Sequence, residues 1–148
     1  MMNSEDRAAF LAEFDVSRET SERLDAVILT LDAWRQRSNL IGPQEWPQIW
    51  TRHVADSFQI LPFIPETTHC VDLGSGAGFP GLVISAARPE GHVTMMESVG
   101  KKCAFLRAAI VAAGLNASVY QGRIEDAQAS TADIVTARAF APLSKLLD

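Results

Sequence analysis

One stretch of the sequence concentrates residue types suited to chemistry close against the backbone: Asp72-Leu73-Gly74-Ser75-Gly76-Ala77-Gly78-Phe79-Pro80-Gly81. Glycines here let the chain turn through conformations that a Cβ obstructs, and let a ligand approach the main chain. The spacing satisfies two patterns at once. Gly76, Gly78 and Gly81 fit a dinucleotide loop, whereas Asp72, Gly74, Gly76 and Gly78 fit an acid-x-G-x-G-x-G loop for an adenosine ligand with an amino-acid end. Asp72 favours the second pattern, because a carboxylate serves an ammonium group, directly or through an ordered water, and repels a pyrophosphate. Glu97 directly follows Val93-Thr94-Met95-Met96 and is placed to accept two ribose hydroxyls, which both ligand classes offer. A plain tight turn is the simpler account of the loop, but its place between strand and helix argues against it.

The surrounding elements must hold that loop. Residues 70–73 read as a buried strand and 80–87 as an apolar helix, followed by a strand at 93–96 and a helix at 101–113 that ends at Gly114. Residues 117–121 and 134–137 read as third and fourth strands. Strands alternating with helices at this spacing predict a parallel sheet with crossover helices and a ligand crevice beyond the carboxyl ends of the strands. The front of the chain reads helical. Leu24, Val27, Ile28, Leu31 and Trp34 form one apolar stripe on a helix of about five turns, with Ser17 or Thr20 as its cap. A weaker helix covers 6–14, and a third runs from Pro47 to Leu61, where Pro62 stops it.

Composition divides the chain in the same place. Of 148 residues, 1–66 carry six Arg against eleven acids and 67–148 carry seven bases against seven acids, so the formal net charge of -5 lies entirely in the front part. Eight of the nine glycines follow position 67. A boundary is expected at 62–68, between a helical extension (1–66) and the core (67–148) that it packs on. The acidic total argues against gripping nucleic acid by bulk positive charge, although local patches remain open. No apolar run approaches the roughly 18 to 20 residues of a membrane span, so no membrane partner is expected. Cys70 and Cys103 lack metal spacing and read as reduced, inert packing thiols in a cytoplasmic protein, with no metal site.

The segment VDLGSGAGFPGLVISAARPEGHVTMMESVGKKCAFLRAAI, continued by GRIEDA and VTARAFAPLSKLL and preceded by NLIGPQEWPQIWTRHVADSFQILPFIP, resembles the bacterial small-subunit ribosomal RNA guanine-N7 methyltransferases, also called glucose-inhibited division protein B. The combination of G-x-G-A-G-x-P-G, E-S-x-G-K-K-x-x-F-L and T-x-R-A-F carries the resemblance, which spans about residues 39–147. It implies a class I S-adenosylmethionine-dependent methyltransferase, an α/β Rossmann-like parallel sheet with a helical N-terminal extension. It also implies a longer sheet than the four strands read here, so truncation after strand four is expected. The cofactor implied is S-adenosylmethionine. The substrate implied is one guanine in the decoding-region loop of small-subunit ribosomal RNA, met as RNA or ribosomal particle by a protein expected to act as a monomer. Gly74 and Phe79 match cofactor positions in the first loop, Ile124 and Glu125 match an adenine-side pair after strand three, and Arg138 matches a binding-site arginine after strand four. The family more often has Ala where this chain has Ile124, and Asn39-Leu40-Ile41 stands where N-L-T is common.

The chemistry of the residues agrees. Guanine N7 offers a lone pair and no proton, so attack on a sulfonium methyl needs alignment rather than a general base, and no catalytic acid or base is expected. The segment Thr136-Ala137-Arg138-Ala139-Phe140 lacks an N-P-P-Y-type clamp for exocyclic amines, and lacks a nucleophilic cysteine for attack at a pyrimidine carbon. Arg138 suits guanine O6, a phosphate or the cofactor carboxylate, against the alternative of a solvated strand-end arginine. Phe140 suits stacking on a splayed base or a place in the core. Lys101, with Lys102, opens a helix against the macrodipole, and with Arg123 makes a candidate phosphate rim, solvated charges being the plainer account. His53 and Asp56, three apart, read as a structural hydrogen-bonded pair, and Trp46 and Trp50 as packing their helix on the sheet. Two other classes stay open at this point: a nicotinamide-dependent oxidoreductase, and a cofactor- or RNA-binding module without turnover.

Overall fold

The computed structural model describes residues 3–123 and 132–138. Two helices open the chain, α1 (Ser4–Glu13) and α2 (Arg18–Ser38). The Ser17 hydroxyl accepts the Thr20 amide N–H at 3.1 Å, which caps α2 where Ser/Thr spacing predicts. Ser17→Ala is expected to cost about 1 kcal/mol in urea denaturation. Leu24, Val27, Ile28 and Leu31 are buried along one face of α2, and Trp34 meets Phe105 edge-on with ring centroids 6.4 Å apart.

The expected third helix is helical but irregular. A 3-10 turn (Trp46–Gln48) leads into a π-helical segment (Ile49–Val54), then a short α3 (Ala55–Phe58) and another 3-10 turn (Leu61–Phe63). Pro62 therefore lies inside the last turn instead of ending a helix. The widening goes with a distant contact: Asp6 of α1 accepts the Trp50 and Thr51 amides at 2.7 and 3.2 Å, pinning the start of the segment from outside. Trp46 and Trp50 face the front helices, not the sheet as expected. Trp50 lies against Phe10 (5.6 Å) and the Arg35 guanidinium lies over Trp46 at 4.3 Å.

The back part forms the expected parallel sheet. Strands β1 (His69–Leu73), β2 (His92–Glu97), β3 (Ala117–Gln121) and β4 (Ile134–Ala137) pair in the order β3-β2-β1-β4. Helices α4 (Gly81–Ala87) and α5 (Gly100–Ala113) make the crossovers, and the αL Gly114 terminates α5. The strand order reverses between β1 and β4, so a crevice opens beyond their carboxyl ends. One buried apolar cluster runs from Phe10 and Leu24 through Trp50 and Leu82 to Phe105 and Leu106. Arg88 ties the link to the sheet layer by donating to the carbonyls of Ile64 (2.8 Å) and Leu61 (2.9 Å).

Candidate functional site

The glycine loop is braced from below by Asp72. The side chain is 1% exposed; Oδ2 accepts the Ser75 hydroxyl (2.7 Å) and the Gly81 amide (3.2 Å), and Oδ1 accepts the Thr136 hydroxyl of β4 (2.9 Å). Burial pushes this carboxyl above the usual carboxylate range, and the Ser75, Thr136 and Gly81 hydrogen bonds pull the other way. From within the protein Asp72 thus shapes the loop and ties β1 to β4.

Glu97 ends β2 as expected and closes the loop from the other side. Its Oε1 accepts the Gly76 amide at 2.8 Å and its Oε2 the Val99 amide at 2.9 Å. Each oxygen keeps lone-pair capacity for a hydroxyl. The Gly74 and Ser75 amides meanwhile donate to the Met96 carbonyl, at 2.8 and 3.2 Å. The loop is therefore preformed across β1 and β2.

The glycines serve different ends. At Gly78 a Cβ would fall 2.2 Å from Leu82 Cδ1, so this residue must be bare for α4 to pack. At Gly76 the backbone has φ +53°, yet a Cβ would meet nothing nearer than the Gly74 carbonyl oxygen at 3.9 Å. That face of the loop is open, a cradle that a side chain would fill, and it fits a ligand held against the main chain.

Arg138 stands just past β4, with its side chain 41% exposed, on a cavity of about 330 Å³ lined in part by Asp56, Pro80 and Thr136. Its Nη1 lies 3.1 Å from His53 Nδ1, and its Nη2 lies 4.0 Å from Asp56 Oδ2. His53 Nε2 lies 3.2 Å from Glu45 Oε1. The expected His53–Asp56 pair is therefore replaced by two separate partnerships, both converging on Arg138. Spacing along a regular helix predicts the pair, but the segment is π-wound, with the Ala55 amide reaching back five residues to the Trp50 carbonyl, and each side chain meets Arg138 instead. Phe79 is 4% exposed and lies beneath His53, with ring centroids 5.4 Å apart, so what it can offer the crevice is chiefly backbone.

Lys101 is exposed at the start of α5, and Arg123 is exposed just after β3. By strand order they flank the loop on the β2–β3 side, opposite Arg138. Ile124, Glu125 and Phe140 lie outside the described residues. Burial pushes the Cys70 thiol up to about 11 and also raises Cys103, so neither is a thiolate nucleophile near neutral pH. Among the described residues no three His, Cys, Asp or Glu side chains gather as metal ligands, and no helix is long and apolar enough to cross a membrane.

Comparison with known proteins bears on this crevice. Residues 20–148 match the family model described as GidB, rRNA small subunit methyltransferase G. The chain is 72% identical over 148 residues to the ribosomal RNA small subunit methyltransferase G of Hyphomonas neptunium, covering all of this chain and 72% of that protein. It is 46% identical to the protein of the same name from Bradyrhizobium sp. strain ORS 278, covering 96% of this chain and 67% of that one. Among solved structures, a protein-L-isoaspartate O-methyltransferase superposes with a TM-score of 0.56 at 14% identity, over 92% of this chain and 47% of that one. A coclaurine N-methyltransferase bound to N-methylheliamine and SAH superposes with a TM-score of 0.56 at 13% identity, over 91% and 48%. These two likenesses establish the class I methyltransferase fold. The family match displaces the nicotinamide alternative.

Proposed function

The chain belongs to the rRNA small subunit methyltransferase G family, and on that premise we propose that the crevice beyond β1, β2 and β4 is where cofactor and guanine meet. The activity is transfer of a methyl group from S-adenosylmethionine to small-subunit ribosomal RNA, at guanine N7. The observation that carries the site assignment is the loop itself. It is held rigid by Asp72 below and Glu97 at the side, and it presents an open backbone face at Gly76.

S-adenosylmethionine, when bound, would supply an electrophilic sulfonium methyl for the N7 lone pair. The protein's own work is binding and alignment. The Gly74–Gly78 backbone and Phe79 take the cofactor's amino-acid end, and Glu97 accepts its ribose hydroxyls. Ile124 and Glu125 are assigned to the adenine by resemblance. No side chain needs to remove a proton from N7, which accords with an Arg-centred site. Arg138 supplies the fixed positive charge that faces either the guanine O6, a phosphate or the cofactor carboxylate. Phe140, Lys101 and Arg123 are the remaining candidates for RNA contact. The finer reading makes the protein a cytoplasmic monomer in which 1–66 is an extension serving 67–148.

Methyl transfer from labelled S-adenosylmethionine to small-subunit RNA and to the assembled particle, followed by nucleoside mass spectrometry, tests this reading. The expected product is 7-methylguanosine; methyl on another atom or no product from either substrate overturns it. Arg138→Ala is expected to lower kcat/KM by about 10- to 100-fold, the worth of a charged hydrogen bond. If Arg138 serves the RNA, calorimetric affinity for S-adenosylmethionine changes less than turnover. A loss confined to cofactor affinity reassigns Arg138 to the cofactor.

A further inference from the structure

We propose that His53 is a positioning residue for Arg138, aiming its guanidinium through Nδ1 while Glu45 holds the imidazole in the required tautomer. This rests on the assignment of Arg138 to the site made above.

The geometry leaves little freedom. A guanidinium only donates, so His53 Nδ1, 3.1 Å from Arg138 Nη1, must accept. The ring proton then sits on Nε2, which faces Glu45 Oε1 at 3.2 Å and donates to it. The ring is fixed in a third direction by Phe79 of the glycine loop, 5.4 Å away with planes tilted by 34°. His53 therefore joins the cofactor loop, the end of β4 and the segment before α3 through one imidazole. The π-helical widening of Ile49–Val54 carries the residue, a distortion that often marks a functional position.

An exposed arginine carries about 2 kcal/mol of rotamer entropy, and an acceptor at its guanidinium orders it before substrate arrives. Nη1 is directed at His53, and among the described residues no hydrogen bond takes the remaining donors. Asp56, at 4.0 Å and 66% exposed, balances the charge but is too far to set a direction.

The arrangement works only with a neutral imidazole. A second proton would sit on Nδ1, opposite an N–H donor and a full positive charge. Burial pushes the His53 pKa below its ordinary value and Arg138 pushes it further, while Glu45 and Asp56 pull it up. The sign follows. Above the ordinary imidazole range His53 is neutral and Arg138 is held; the contact is lost as pH falls through the lowered folded value.

The test uses the full chain. With three histidines in the sequence, the His53 ring nitrogens can be assigned by 15N NMR without any cofactor. The expected result is the Nε2–H tautomer, with a pKa that rises in Arg138→Ala and falls in Glu45→Gln. In methyl transfer to small-subunit RNA, His53→Phe keeps a ring over Phe79 but offers no acceptor, and is expected to lose about tenfold in kcat/KM. It should also lose the fall in rate at acid pH. His53→Asn keeps an acceptor near Nδ1 that cannot titrate, and is expected to recover to within about threefold with the acid limb still absent. An unchanged His53 pKa in Arg138→Ala, or the same acid limb in His53→Phe as in the parent, overturns the proposal. If His53→Phe does not fold, the NMR titrations and His53→Asn decide alone. If Arg138→Ala keeps full turnover and full cofactor affinity, the assignment of Arg138 fails, and the NMR titration still reports separately whether His53 holds it.

Discussion

Gly76→Val is expected to abolish S-adenosylmethionine binding, with an affinity loss of at least about 100-fold, or ~2.7 kcal/mol, in calorimetry. Two costs arise and they differ in kind. The backbone at Gly76 has φ +53°, where a side chain costs about 1 to 2 kcal/mol and a branched one more, so the fold weakens but stands. The Cβ would meet only the Gly74 carbonyl oxygen at 3.9 Å, so the rest of the side chain projects into open crevice. A folded protein that has lost its cofactor is therefore the expected outcome. Gly78→Val is the control, because there a Cβ would collide with Leu82 Cδ1 at 2.2 Å and the damage falls on the packing of α4. Thermal unfolding separates the two. Unchanged cofactor affinity in Gly76→Val would refute the assignment of the loop.

Asp72→Ala is expected to be the most destabilising single change at the site, by about 3 to 5 kcal/mol in urea denaturation. It removes the acceptor of the Gly81 amide, leaves the Ser75 hydroxyl only its 3.2 Å bond to the Asp72 carbonyl and the Thr136 hydroxyl only the Cys70 thiol at 3.9 Å, and unties β1 from β4. Asp72→Asn is expected to cost no more than about 1.5 kcal/mol. Its oxygen can still accept from Ser75 and Gly81, the Thr136 hydroxyl can turn to accept from its amide, and no buried charge remains. The pH dependence carries a definite sign. Since the folded carboxyl titrates above its unfolded value, its ionisation costs stability as pH rises from the ordinary carboxylate range through the folded value. That slope should vanish in Asp72→Asn. Equal destabilisation by Asn and Ala would show that charge, not hydrogen-bond geometry, is what the loop needs.

Much of the core was legible because its signals are local. Residues 117–121 and 134–137 read as the third and fourth strands and are β3 and β4 with those same bounds. Glu97 was placed at the end of β2 by counting, and it is there. The segment from Pro47 to Leu61 was less legible. Its prolines predict start and stop, but Asp6, more than forty residues earlier, takes the Trp50 and Thr51 amides and pins the segment from outside.

Site chemistry divides along the same line. The sequence alone determined that a glycine loop joins a strand to a helix, that an acid ends the next strand and that an arginine follows the fourth. Each of these depends on neighbours a few residues away, where backbone preference and apolar periodicity act. Only the tertiary structure decided what those groups touch. Asp72 braces β1 against β4 because Thr136, sixty-four residues on, donates to it. His53 turned from partner of Asp56 to partner of Glu45 and Arg138, the latter eighty-five residues away. Hydrogen bonds act over about 3 Å and carry no trace of sequence separation. Which donors meet which acceptors is fixed only when packing brings distant segments to one place.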